Sequence, residues 1–246
     1  MSDIIVKAEN LSKRFYLRKS KKTFLRTLRP LIKGSRIKDE LWVLKDICFE
    51  IKKGEKLAII GRNGCGKTTL LRILTGIYDK TSGRLEVKGN PICLFKSLVG
   101  ACSDLPVIDN IYLFGAVYGL ERNFLKDRID EILETAELSH LAFSPLKELS
   151  IGQQARFAFS VFFQVDGDFL VFDESLVSID QGFLERCKAY FQDLLFSGKT
   201  VVMTSHDASF LKDQCKRALW IDGGRIRMSG DAGEVISEYE RSFHKP

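Results

Sequence analysis

Long apolar runs are missing from this sequence, and so are the patterns of a disulfide scaffold or a zinc module. None of its apolar stretches reaches the roughly 18 to 20 residues that cross a bilayer. The first ten residues also lack the basic and then apolar order of a signal peptide. Six cysteines are scattered without a Cys-x-x-Cys pair, and there are only three histidines. These absences predict a soluble protein of a reducing, intracellular compartment that is not built around a metal cage.

Acidic residues are absent from one segment, although they are plentiful elsewhere. Residues 13–38, the basic insert, contain eleven basic residues and no acidic one, whereas the rest of the chain has 27 basic against 32 acidic residues. A local excess of this kind suggests an anionic surface as the partner. Apolar residues at helical spacing within 21–33 favour a segment that lies on an anionic membrane or docks a membrane protein. A solvated basic hairpin explains the same residues equally well.

Apolar runs at 57–60, 169–172 and 200–204 predict buried strands, and the helical spacing between them predicts a parallel α/β sheet. Residues 4–6, 41–44 and 47–51 predict shorter strands. The run at 57–60 leads into G-x-x-x-x-G-K-[ST] and then into helical spacing. In that context we expect the backbone N–H groups to surround phosphates, Lys67 to bridge the β- and γ-phosphates, and the Thr68 hydroxyl to ligate Mg²⁺. The residues predicted to hold the nucleotide are Gly61, Arg62, Asn63, Gly64, Cys65, Gly66, Lys67, Thr68 and Thr69.

Two acidic residues follow the second buried strand. Asp173 ends it and is the expected Mg²⁺ partner in a P-loop NTPase, and Glu174 is placed to polarise the attacking water. A helix N-cap pair is the alternative explanation. Asp173 lies 106 residues after Lys67, which leaves room for an inserted helical subdomain. This spacing favours the catalytic interpretation of Asp173 and Glu174.

Three further motifs make the chain resemble the ATP-binding-cassette (ABC) ATPases. Residues 149–153 (LSIGQ) are similar to the LSGGQ signature, with Ile151 in place of the first glycine. Asp180 has the spacing of the family's D-loop aspartate, and His206 follows the third strand as the switch histidine does. One usual element is missing, because residues 91–110 contain no Gln and Lys96 lies near its expected place.

The resemblance implies a fold and a set of roles. The fold is α/β: a P-loop NTPase of the ABC type, with a RecA-like parallel sheet core, an antiparallel β edge and an inserted α-helical subdomain. We expect one nucleotide-binding domain over 1–246, with the core in about 1–90 and 165–246 and the helical subdomain in about 91–164. Ser150, Gly152 and Gln153 would face the γ-phosphate held by the other subunit of a dimer, near Asp180, and His206 would contact that phosphate. Either Phe15 or Tyr16 would stack on adenine, with a plain core aromatic as the alternative.

A finer pattern is similar to the ATPase subunits of bacterial polysaccharide exporters, the O-antigen, capsule and teichoic acid group. It includes residues 11–15 before the basic insert, 109–112 before the helical region, and above all 173–183 (DESLVSIDQGF), which resembles DE-x-L-x-V-G-D-x-x-F. The resemblance implies an ATP hydrolase using ATP and Mg²⁺, which works as a homodimer under two permease subunits at the cytoplasmic face of the inner membrane.

The same resemblance places cargo recognition in the permease. Only twenty residues follow 223–226, so we expect no C-terminal sugar-binding domain. One alternative is export of another cargo. A second is an ABC ATPase that acts on nucleic acid or ribosomes, but the single cassette disfavours it. Basic residues without interleaved exposed aromatics also indicate surface charge rather than base stacking, so we expect no nucleic acid partner.

Overall fold

A computed structural model describes most of the chain outside the basic insert. The described residues are 3–17, 39–95, 98, 100–173, 182–183, 198–205 and 207–243. Lys96, Glu174, Asp180 and His206, and the basic insert after residue 17, lie outside them. Within these ranges, no helix combines the length and the apolar character that a membrane span requires.

The described residues form nine strands, seven α-helices and two single 3₁₀ turns. The strands are β1 (Ile4–Leu17), β2 (Asp39–Lys52), β3 (Lys56–Ile60), β4 (Ser82–Val87), β5 (Pro91–Phe95), β6 (Phe169–Asp173), β7 (Thr200–Thr204), β8 (Arg217–Asp222) and β9 (Arg225–Asp231). The helices are α1 (Lys67–Leu74), α2 (Val107–Val117), α3 (Arg122–Lys126), α4 (Ile129–Ala136), α5 (Ile151–Phe162), α6 (Ala208–Gln214) and α7 (Ala232–Arg241), and the 3₁₀ turns are Ser139–Leu141 and Leu146–Glu148.

An antiparallel sheet with the order β2-β1-β4 forms one side of the molecule. The pairing of β1 with β2 continues to Leu17 opposite Asp39, beyond the short strands that the sequence predicts. Asn10 and Asp46 interrupt the apolar pattern with positive φ angles of 50° and 51°. These residue types tolerate the left-handed region, and the register shifts nearby let the strands bend and continue.

The core sheet has the order β5-β6-β7-β3-β8-β9, and its five strands from β5 to β8 run parallel. The prediction of a parallel α/β sheet is therefore confirmed. The edge strand β9 is antiparallel to β8. The opposite edge strand, β5, begins with Pro91, a residue that sheets accept at the start of an edge strand.

Each strand of the core sheet sends alternate side chains to two apolar layers. Leu57 and Ile59 of β3 pack with α1 and the antiparallel sheet, whereas Ala58 and Ile60 pack with α2, α5 and α7. Every residue of β6 and β7 is buried. The buried polar residues Asp173 and Thr204 end β6 and β7, so they lie at the carboxyl edge of the strands, where ligands of such sheets bind.

Candidate functional site

The loop after β3 is folded in a way that only glycine permits at two of its positions. Gly61 has a φ of 149°, and a Cβ there would lie 2.3 Å from the Ile221 carbonyl oxygen. Gly66, the residue before α1, has a φ of 113°, and a Cβ there would lie 2.7 Å from Leu44 Cδ2. The loop therefore lies tightly against β8 and β2, as a backbone that wraps phosphates requires.

Lys67 begins α1 and folds back over this loop. Its side chain is buried, and the ammonium Nζ donates to the carbonyl oxygens of Gly61 at 2.8 Å and Arg62 at 3.4 Å. These carbonyls hold a buried positive charge at the beginning of a helix, where the backbone also attracts anions. The arrangement suits a phosphate group.

A carboxylate from another strand meets this loop. The hydroxyls of Thr68 and Thr204 both donate to Asp173 Oδ1, each at a distance of 3.2 Å. Asp173 ends β6 and Thr204 ends the neighbouring β7, so the parallel order of the strands brings them together. The sequence predicts Thr204 only as the last residue of the strand at 200–204, and it does not predict this contact. A polar residue at the end of an otherwise apolar strand is the sequence signal that would have indicated such a contact.

The oxygen atoms of Thr68 and Asp173 fit a magnesium ion. Mg²⁺ prefers oxygen ligands and usually keeps several waters and substrate phosphates, so one carboxylate and one hydroxyl from the protein are enough. The part of the chain that the structure describes has no cluster of three or more His, Cys, Asp or Glu side chains for a metal. The donor set therefore suits Mg²⁺ bound together with a phosphate ligand rather than a zinc-like cage.

Cys65 occupies the loop as a neutral side chain. Its thiol is buried, and this burial raises its pKa above the ordinary value. A neutral thiol brings no negative charge to a site that attracts anions. The residue is therefore compatible with phosphate binding.

The signature segment forms a capped helix start. Ser150 is the N-cap of α5: its Oγ accepts from the Gln153 N–H at 3.3 Å, and Gln153 Oε1 accepts from the Ser150 N–H at 2.8 Å. Ile151 is 76% exposed, and nothing lies within 4 Å of a Cβ built on Gly152. Among the described hydrogen bonds, none joins this segment to the P-loop of its own chain. The helix start is accessible, since Ser150 and Ile151 are both exposed.

The two candidate adenine-stacking residues differ in their surroundings. Phe15 is half-buried, and its ring packs edge-on to Tyr78 with a centroid distance of 5.6 Å. Tyr16 is exposed, with the Arg14 guanidinium 5.2 Å from its ring. The contacts of Phe15 agree with a plain packing role, and stacking on adenine stays a prediction for both.

Three predicted residues cannot be placed in this geometry. Glu174 and Asp180 follow Asp173, and His206 follows Thr204, but all three lie outside the described residues. Their roles stay predictions from the sequence.

Comparison with known proteins gives two kinds of similarity. The family model described as ABC transporter matches residues 44–177, more than half of the chain. The teichoic acids export ATP-binding protein TagH of Lactococcus lactis is 32% identical over 96% of this chain and 50% of its own length. The O-antigen export system ATP-binding protein RfbB of Myxococcus xanthus is 38% identical over 81% of this chain and 46% of its own. The protein of that name from Klebsiella pneumoniae is 33% identical over 81% of both chains. The chain thus spans about half the length of the first two relatives.

Solved structures share the fold. The ATP-binding cassette MJ0796, solved as a dimer in a post-hydrolysis state with ADP and phosphate, has a TM-score of 0.71 at 20% identity over 92% of this chain and 98% of its own. The cbiO1 protein of Clostridium perfringens, part of the cbiONQ transporter complex, has a TM-score of 0.65 at 25% identity over 97% and 93%. These similarities confirm the predicted fold class.

Proposed function

Because this chain belongs to the ABC transporter family, we propose that it is the ATP hydrolase subunit of an exporter of a polysaccharide or lipid-linked glycan. The observation that carries the proposal is the contact between Thr68 of the P-loop and Asp173 at the end of β6, which is 3.2 Å long. This contact places the proposed phosphate-binding loop next to the carboxylate that is proposed to bind the metal. The relatives' names supply the cargo class, as proteins of teichoic acid and O-antigen export.

In this proposal the loop residues bind the phosphates of ATP. The backbone N–H groups of 61–66 surround the β-phosphate, and Lys67 contacts the β- and γ-phosphates. Thr68 and Asp173 hold Mg²⁺, which neutralises charge on the phosphates when it is bound. Glu174 orients and deprotonates the attacking water, and His206 contacts the γ-phosphate.

The proposed active unit is a homodimer of one nucleotide-binding domain, with the core in about 1–90 and 165–246 and the helical subdomain in about 91–164. Ser150, Gly152 and Gln153 would contact the γ-phosphate of the partner's nucleotide, near Asp180. Two features support this: Ser150 caps the start of α5, and Ser150 and Ile151 are both exposed there. A helix N-terminus attracts anions through its free N–H groups.

The proposed partners are two permease subunits, with the ATPase bound peripherally at the cytoplasmic face of the bacterial inner membrane. Leu113 and Val117 support a protein contact, since they lie one turn apart on α2 and are both exposed. The basic insert supports proximity to an anionic leaflet. Recognition of the glycan is assigned mainly to the permease.

A gentle-detergent pull-down of the tagged protein from native membranes tests this proposal. We expect one multi-span permease to co-purify, and we expect the double variant Leu113→Ser/Val117→Ser to lose most of it. Ile77→Ser is the matched control, because Ile77 is equally apolar and exposed but lies after α1. Co-purification of ribosomal proteins or nucleic acid without a membrane protein would overturn the export function and favour the non-transport alternative.

A further inference from the structure

Three aromatic rings connect the end of the chain to the P-loop. Trp220 of β8 packs edge-on to Tyr239 of α7 with a centroid distance of 5.5 Å, and Tyr239 packs edge-on to Phe243 at 4.9 Å. The Arg62 guanidinium lies 5.8 Å from the Phe243 ring, within the range of a cation–π contact. We call Trp220, Tyr239 and Phe243 the aromatic row.

Arg62 is also where Lys67 reaches the loop. Its carbonyl oxygen accepts from Lys67 Nζ at 3.4 Å and from the Cys65 N–H at 3.2 Å. The first turn of the P-loop is therefore held from two directions. Lys67 and Cys65 hold the backbone of Arg62 from inside the loop, and Phe243 contacts its side chain from outside.

The other end of the aromatic row, at Trp220 and α7, is packed into the core. Ala232, Val235 and Ile236 of α7 are buried, and Asp231 caps the helix by accepting from the Glu234 N–H at 3.2 Å. Trp220 is buried in the core sheet. Phe243 lies two residues after the end of α7, so its contact with Arg62 is made next to a helix that is anchored on the sheet.

Phe243 itself contributes little to the core. It is 53% exposed, and its described ring contacts are with Tyr239 and Arg62. Burial raises the pKa of Tyr239 above its ordinary value, and the charge of Arg62 opposes this rise. A large aromatic that is half-exposed at this place has a local role rather than a role in global stability.

We propose that Phe243, supported by Tyr239, is a positioning residue for nucleotide binding that holds Arg62 and keeps the first turn of the P-loop in its phosphate-binding conformation. The inference rests on the proposed binding of ATP at this loop. A loop that is already ordered loses less conformational entropy when a ligand binds. Since the contact exists before ATP arrives and does not touch the reacting atoms, it acts on affinity and leaves the chemical step alone.

The test is the affinity for ATP, measured by calorimetry, together with KM and kcat of ATP hydrolysis. We expect Phe243→Ala to raise Kd and KM about two- to fivefold, the effect of losing one exposed cation–π contact, with kcat unchanged. Phe243→Tyr keeps an aromatic ring and is expected to bind ATP as the parent does. Phe143→Ala is the matched control, because Phe143 is 82% exposed on the helical region and its loss should change neither constant.

A double-mutant cycle with Arg62→Ala separates positioning from a general loss of structure. We expect Phe243→Ala to have no further effect on Kd once Arg62 is truncated. The inference is overturned if Phe243→Ala leaves the Kd for ATP unchanged. It is also overturned if Phe243→Ala raises Kd by the same factor in the parent and in Arg62→Ala. If Phe243→Ala melts at a lower temperature than the parent, Phe243→Leu is measured in its place, and it is expected to raise Kd because it fills space without a ring. A parent protein that binds no ATP refutes the proposed function instead.

Discussion

The contact between Thr204 and Asp173 gives the sharpest test of the site, because Thr204→Val removes one hydroxyl and keeps the side-chain shape. Thr204 is fully buried, and its Oγ1 donates to Asp173 Oδ1 at a distance of 3.2 Å. A hydrogen bond to a charged group contributes about 1.5–3 kcal/mol, and this one is at the long end of the distance range. We therefore expect the free energy of unfolding to fall by about 1–2 kcal/mol.

The same substitution should weaken the metal site without touching the metal. Thr204 orients the carboxylate that is proposed to hold Mg²⁺, and loss of such an orienting partner commonly costs about tenfold in metal affinity. We expect the Mg²⁺ concentration for half-maximal ATP hydrolysis to rise by about that factor. Urea unfolding followed by circular dichroism measures the stability, with a midpoint shift of roughly 0.3–1 M.

Thr200→Val is the matched control on the same strand. Thr200 is also buried, but its Oγ1 accepts from the Gly54 N–H at 2.8 Å, far along β7 from the metal site. It should lower stability by about 1 kcal/mol, the usual net value of a neutral hydrogen bond, and leave the Mg²⁺ dependence unchanged. Equal Mg²⁺ dependence in both variants would refute the role of Thr204, as would an unfolding free energy in Thr204→Val that matches the parent.

Four further predictions concern the rest of the site and the core. Lys67→Ala should weaken ATP binding in a binding assay, whereas Glu174→Gln should bind ATP, accumulate as a closed dimer in gel filtration and hydrolyse little. A Glu174→Gln protein that keeps most of its turnover would exclude the catalytic role of Glu174. Ser150→Ala should lower the free energy of unfolding by about 1 kcal/mol through loss of the α5 cap, and Ser150→Asn should restore it; equal urea midpoints would contradict this. Burial raises the pKa of Cys215 from 9.0 to about 12, so its contribution to stability is complete below pH 9 and is lost as the pH rises toward 12. Cys215→Ala should therefore lose stability less steeply than the parent over that range, and identical slopes would speak against it.

Local patterns were sufficient to predict the P-loop. The glycines of 61–66 and the helix that starts at Lys67 are adjacent in sequence, so the motif carries its own geometry. The meeting of Thr68 with Asp173 was also predictable, because an acidic residue at the carboxyl end of a parallel strand lies at the edge where the P-loop begins.

Contacts that depend on strand order were not predictable from the sequence. The pairing of Thr204 with Asp173 requires β7 to lie beside β6, which no local pattern specifies. The contact of Phe243 with Arg62 requires the last helix to return to the first loop of the core sheet. Pro91 concealed β5, since a proline disfavours a strand unless the strand lies at the edge.

The departure at Ile151 is compatible with the proposed role of the signature segment. Ile151 occupies the first helical position of α5, where no positive φ is needed, so glycine is not required by the backbone. The Ser150 cap forms with isoleucine in place, and the isoleucine side chain stands 76% exposed instead of covering the helix start. An exposed isoleucine beside the proposed nucleotide contact gains from burial, so closure of the proposed dimer over ATP would remove apolar surface from water at this point. A glycine at this position would bring no such apolar side chain to the proposed interface.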